Sequence, residues 1–217
     1  MYSPAAFTVT DHALIREIIR DYPFATVVSG GPEPFASHLP IIGTPEAFGE
    51  LRLFAHLAKA NSHWRLLAEQ PEVLVIFHGP HAYVSPQWYA NQPAVPTWNY
   101  IVIHAYARAR VFNDPVKLEP MVTALTDAFE APSAPRPPAD FRDRMLAGIV
   151  GLELSVHRLE AKFKLSQNRS AADIAGVISA LEQSSDSNDR ATAKWMRRMA
   201  EANIASTPTA AKTSPTL

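Results

Sequence analysis

Three stretches of this 217-residue chain gather side chains able to hold an anionic or aromatic ligand. The first is His56-Leu57-Ala58-Lys59-Ala60-Asn61, where a strand pattern gives way to a helix pattern. Amides freed at a helix start, the helix dipole and the donors of Lys59 and Asn61 suit a phosphate. A capped helix with a solvated lysine accounts for the same residues. The second is Lys162-Phe163-Lys164-Leu165-Ser166-Gln167-Asn168-Arg169. Lys162 and Lys164 share one face of a strand end, Gln167 stands in the turn beyond, and no carboxylate lies among the cations. Such a run fits an anionic partner, and equally a basic sheet edge that discourages strand pairing. The third is Pro96-Thr97-Trp98-Asn99-Tyr100, read with His81, Tyr83, Trp88 and Tyr89. Aromatics with polar handles can stack on a planar heterocycle, but at strand ends they also serve simply as core.

Other chemistry finds less support. His78 and His81, like His56 and His63, have no carboxylate at a metal-ligand spacing, so no metal site is expected. Neither a nucleophile motif, a phosphate loop, a dinucleotide fingerprint nor a paired acid and base stands out. No catalytic residue is assigned, and any catalysis would have to come from a cofactor.

The elements that must position these residues follow from periodicity. Residues 11–20 put Leu14, Ile15, Ile18 and Ile19 on one helical face, which Thr10 or Asp11 can cap. Residues 24–29 and 35–42, separated by Gly30-Gly31-Pro32, read as a hairpin. A strand over 51–56 leads to a helix over 64–70 and a strand over 73–77, which Gly79-Pro80 should turn back into 82–85. The proline-punctuated loop 86–96 carries Trp88 and Tyr89 and should cover something. Strand 101–111 alternates strictly, with Ile101, Ile103, Ala105, Ala107, Ala109 and Val111 on the core side. Helices follow over 115–129 and 140–147, flanking a proline-rich connector. In the last strand, 151–163, the apolar phase switches from Leu152, Leu154 and Val156 to Leu159, Ala161 and Phe163, as a bulge would cause. Ser170 caps a helix to about residue 181 and another covers 189–202. About six strands with helices between and after them predict an α+β fold, a compact antiparallel barrel with helical attachments.

Composition bounds the function. Without cysteines there is no disulfide framework, and with no long apolar run no membrane span is expected. The opening Met1-Tyr2-Ser3-Pro4 lacks a secretory pattern, so a cytoplasmic location is expected. A balance of 20 basic against 21 acidic residues, net charge -1, does not support broad phosphate neutralisation on DNA, although a small basic patch is compatible with it. Residues 1–183 are read as one domain, 184–204 as a C-terminal helix and 205–217 as a disordered tail.

Taken in order, the runs Met1-Tyr2 with Phe7, Ala36-Ser37-His38-Leu39-Pro40, His56 through Asn61 with Trp64-Arg65, Val73 through Tyr83 with Val84-Ser85-Pro86, Pro96 through Tyr100 with His104-Ala105-Tyr106, and Lys162 through Arg169 resemble the PaiB family of FMN-binding negative transcriptional regulators. The resemblance implies a six-stranded antiparallel split β-barrel with peripheral helices, like that of pyridoxamine phosphate oxidases. It also implies a homodimer that shares an FMN groove between subunits. By motif, FMN would meet Ser37, His38, Leu39, Ala55, His56, Lys59 and Asn61 of one subunit, and Trp98, Asn99, Lys162, Lys164 and Gln167 of the other. Oxidases of that superfamily use an arginine and lysine pair at the phosphate, where this chain has His56, Lys59 and Asn61. The cage is thus less cationic, and Lys162, Lys164 or Arg169 would have to compensate. Besides repression, the resemblance admits an FMN-dependent oxidoreductase or flavin reductase and, further off, a haem-binding barrel.

Overall fold

The structure, a computed structural model, describes residues 1–31, 33–45 and 51–206, with the side chains of Pro45 and of residues 203–206 outside that description. Its elements are β1 (Thr8–Val9), α1 (His12–Asp21), β2 (Phe24–Ser29), β3 (Phe35–Pro40), β4 (Ile42–Pro45), β5 (Leu51–Ala58), α2 (His63–Glu69), β6 (Glu72–Val84), β7 (Thr97–Phe112), α3 (Pro115–Phe129), α4 (Ala139–Ala147), β8 (Ile149–Lys164), α5 (Ala171–Glu182) and α6 (Ser187–Ser206). The chain groups into two compact units. One comprises Met1–Tyr2, Thr8–Gly79 and Val102–Lys162; the other comprises Ser3–Phe7, Pro80–Ile101 and the chain from Phe163 on. Among the described residues no helix is long and apolar enough to cross a membrane.

The strands form one sheet in the order β3-β2-β6-β7-β8-β5-β4, with β1 added on β8. The β2–β3 hairpin is in register from Phe24↔Pro40 to Ser29↔Phe35, and β5 lies antiparallel to β8 from Leu51↔Val156 to Ala58↔Ile149. The path does not close into a barrel. In the first unit β3 nevertheless approaches β5, so the sheet curls with a split between them. The α+β class expected from the sequence holds. The eight strands exceed the expected six because the two-residue β1 carries no periodicity, and because Ile41 interrupts what reads as one run over 35–42.

In the first unit both faces of the sheet are covered. On β5, Leu53, Ala55 and Leu57 are buried on one side. On the other, Phe54 packs with Phe112 and Ile149 against Leu118, Met121 and Leu125 of α3 and Leu146 of α4. Asp11 caps α1 by accepting from the amides of Ala13 and Leu14, and the helix buries Ile15, Ile18 and Ile19. The alternation expected for β7 is present, and on β8 burial changes phase as the apolar pattern required. One expectation fails: Gly79-Pro80 does not reverse the chain. β6 runs straight through, and the pair only switches the buried parity, from Val73, Val75 and Phe77 to Ala82 and Val84. A proline forbids an amide donor, not extended backbone.

In the second unit, α5 and α6 bury Val177, Ile178, Leu181, Ala193 and Met196, and Phe163 meets Trp195 edge-on at 5.5 Å. The loop after β6 packs on α5: Asn91 donates to Asp173 through its amide at 2.9 Å and its carboxamide at 3.1 Å. The tail expected over 205–217 lies outside the described residues from 207 onward, and 205–206 complete α6.

The loop sits so close to α5 that a Cβ on Gly176 would collide with the backbone carbonyl of Trp88. Gly176→Ala gains about 1 kcal/mol of helix propensity but forces two backbones apart, at roughly 1–3 kcal/mol. The collision wins if the helix cannot move. The expected outcome is a lower urea midpoint at unchanged slope; an equal or higher midpoint contradicts the packing.

Candidate functional site

In the first unit, β3 ends one side of the sheet and so carries a row of main-chain donors and acceptors not committed to β2. Alternation divides its side chains. Ser37 and Leu39 are buried, whereas His38 faces out, with its Nδ1 3.0 Å from the Thr26 hydroxyl. Ser37 meets the segment that follows β5: Asn61 donates to its Oγ at 3.1 Å, and His63 Nδ1 lies 2.8 Å from the same oxygen. His63 Nε2 reaches Ser29 Oγ at 3.0 Å, and Asn61 Oδ1 accepts the His63 amide at 3.0 Å. His63 is fully buried under the Phe35 ring, 4.6 Å away, and burial lowers its pKa. This links β2, β3 and the start of α2 through a neutral imidazole.

The rest of the first predicted run is spread around that hub. Ala55 is core. His56 points to the other face of β5, opposite Gly151; burial lowers its pKa too, and its Nδ1 is buried with no hydrogen-bond partner. Lys59 is exposed, but its ammonium donates to the Ala147 carbonyl at 2.6 Å and its amide to Gly148 O at 2.9 Å. It therefore caps the C-terminus of α4. Lys162, also of the first unit, is buried, with its Nζ 3.2 Å from the Tyr2 carbonyl.

The second unit holds Trp98, Asn99, Lys164 and Gln167. Trp98 is 52% exposed, with His81 at 5.7 Å and Tyr83 edge-on at 6.2 Å between ring centroids. Lys164 donates to the Thr97 hydroxyl and the Trp98 carbonyl, which steadies this aromatic face. Asn99 is fully buried, donating to Ser166 Oγ at 3.0 Å and to Met196 Sδ at 3.3 Å. Its partner Ser166 has φ 66, a left-handed conformation unusual for serine. Gln167 folds back on its own turn, accepting from the Leu165 amide at 2.7 Å and donating to Phe163 O.

The geometry thus joins Ser37 to Asn61 and Trp98 to Lys164, and leaves Leu39, Ala55 and Asn99 with buried side chains. Sequence reasoning weighed His63 only as a metal ligand and named Ser166 only within the basic run, without assigning either a structural role. It missed Ser29, a single serine at a strand end that gave no signal.

A family model described as "Putative FMN-binding domain" matches residues 1–158. The chain is 33% identical over 205 residues to protease synthase and sporulation protein PAI 2 of Bacillus subtilis, covering 90% of this chain and 96% of that protein. Among solved structures, the FAD and heme binding protein from Mycobacterium smegmatis superposes with a TM-score of 0.59 at 19% identity, covering 77% of this chain and 78% of that one. The flavocytochrome Anf3 from Azotobacter vinelandii gives 0.58 at 15% identity, covering 72% and 69%. At these identities the structural likenesses speak to the fold.

His56, His63 and His104 all have pKa values lowered from 6.5, in each case foremost by burial. The folded chain keeps them neutral where the unfolded chain takes up protons. Stability is therefore unaffected well above 6.5 and falls as pH drops through that value, levelling off below the folded pKa values. Urea titrations between about pH 7.5 and about pH 5 should show this loss, with a shallower slope in His63→Gln. An unchanged slope in the variant would mean that His63 is not held neutral.

Proposed function

Because this chain belongs to the PaiB family, we propose that it is a flavoprotein whose ligand is FMN, acting as a homodimeric negative regulator of transcription. The observation that carries the flavin reading is the Ser37 hydroxyl met by the Asn61 carboxamide where β3 and β5 approach, with Lys59, two residues before Asn61, holding its ammonium at the end of α4. On the other face of β5, His56 has a buried Nδ1 that lacks a hydrogen-bond partner. Ser37 and Asn61, already fixed by His63, orient their donors in advance. Lys59 exchanges the Ala147 carbonyl for a phosphate oxygen, a stronger charge-assisted bond. A second copy of the chain supplies the aromatic and basic side of the groove, where Trp98 presents an exposed face able to stack on an isoalloxazine. A bound flavin brings electron and hydride transfer, while the chain's residues bind and orient it.

The regulatory half rests on family membership. The basic stretch of α6 is largely engaged: Arg197 is paired with Glu182 at 2.6 Å and the Arg198 guanidinium lies 4.7 Å from the Trp195 ring centre. With a net charge of -1, repression is better served by a surface patch or a protein partner than by this helix gripping DNA.

The test is FMN titration of the purified chain, alongside riboflavin, followed by absorption and flavin fluorescence. FMN should bind more tightly than riboflavin, because only FMN carries the phosphate. A Lys59→Ala, Lys164→Ala double variant should weaken FMN by about tenfold or more while leaving riboflavin nearly unchanged. Sedimentation should give the mass of two chains. Failure of FMN to bind overturns the flavin reading, and a monomer that binds FMN overturns the shared groove.

A further inference from the structure

The first unit contains a cavity of about 480 Å³ that lies between α3 and the outer face of β4, β5, β7 and β8. None of the residues weighed above for FMN lines it. Its volume falls in the range of small-molecule sites. We propose that it is a second ligand site, specific for a carboxylate with an apolar body, such as a medium-chain fatty acid.

Its floor is charged in an unusual way. Glu153 projects from β8 with 5% of its surface exposed, and two arginines converge on it. Arg52 Nη1 donates to one carboxylate oxygen at 2.7 Å; Arg110 donates to the other through Nε at 2.9 Å and through Nη2. One carboxylate thus holds two guanidinium groups in fixed positions. Arg110 remains 62% exposed at the side chain, and its Nη1 has no hydrogen-bond partner among the described residues. Lys117, on the first turn of α3, also lines the cavity, and none of the described residues pairs with its ammonium. Arg110 and Lys117 thus both turn uncommitted donors toward the same cavity. Those donors suit one negative group, and a preset guanidinium edge favours a planar carboxylate.

The walls fix the rest of the ligand. Phe54, Phe112 and Met121 are apolar, and Val116, 80% exposed, stands at the opening. Pro120 lacks an amide, so the Val116 carbonyl receives no helical hydrogen bond from it. A hydrocarbon chain along these walls with its carboxylate at Arg110 and Lys117 would satisfy both halves of the site, whereas a polar metabolite would leave the aromatic wall wet and a neutral lipid would leave the cations unanswered.

The experiment is calorimetric titration of decanoate into the full chain and into Lys117→Glu and Ala124→Trp, with FMN titrated into each. Ala124 is an exposed residue of α3 that lines the cavity, so tryptophan there obstructs it from the surface, without removing a core side chain. Saturable binding of one decanoate per chain is expected, weakened about tenfold in Lys117→Glu and abolished in Ala124→Trp, with FMN affinity the same in all three. The proposal is overturned if decanoate does not saturate the unaltered chain, if both variants bind it equally well, or if decanoate displaces FMN. Because FMN is read separately, loss of the flavin reading leaves this test intact.

Discussion

A β-strand can give only alternate residues to each face, and in the first unit of this chain both faces of the central strands are covered. Every candidate ligand group is sorted by that constraint. On β3 it turns Ser37 inward and His38 outward; on β5 it turns Ala55 into the core and His56 toward the other side. A contiguous motif is thereby split between two environments. Only where the strands end, at Lys59, Asn61 and the start of α2, can polar side chains gather without leaving a face unfilled.

Two buried polar groups in the first unit show opposite answers to the cost of taking polarity out of water. His63 is kept neutral, and each ring nitrogen finds a serine hydroxyl, so no charge is buried and no hydrogen bond is lost. Glu153 is instead met by two guanidinium groups, one on each carboxylate oxygen. Removing one partner of such a pair leaves a buried charge uncompensated, which costs more than the pair itself contributes. The first solution fixes a hydrogen-bonded hub; the second fixes two guanidinium groups on one carboxylate.

Much of this was legible in the sequence, and the reasons differ by element. The strict alternation from Ile101 to Val111 announced β7, and the capping side chains of Asp11 and Ser170 marked helix starts, because these signals are local. The course of β6 through Gly79-Pro80 was not legible, since only sheet neighbours decide whether such a pair turns or merely shifts the buried parity. For the same reason Asn99, an inviting polar residue among aromatics, lies buried: its partners Ser166 and Met196 are 67 and 97 residues away. Pairings of that range cannot be read from spacing. Family resemblance supplied the candidate site, because periodicity ended at a sheet with helical attachments.

The cations of the candidate site are not idle in the absence of a ligand. Lys59 closes the end of α4, and Lys164 braces the backbone beside Trp98. A phosphate that recruits either must draw it from a carbonyl it already serves. The gain is therefore the difference between a charge-assisted bond to an anion and one to a neutral acceptor, smaller than a free lysine would give. The cost falls on the helix end and the strand end those lysines hold. Binding through Lys59 would thus be coupled to the terminus of α4, whose Leu146 packs on the core shared with α3. A ligand that drew Lys59 away would in this way reach the helical layer of the first unit through differential contact.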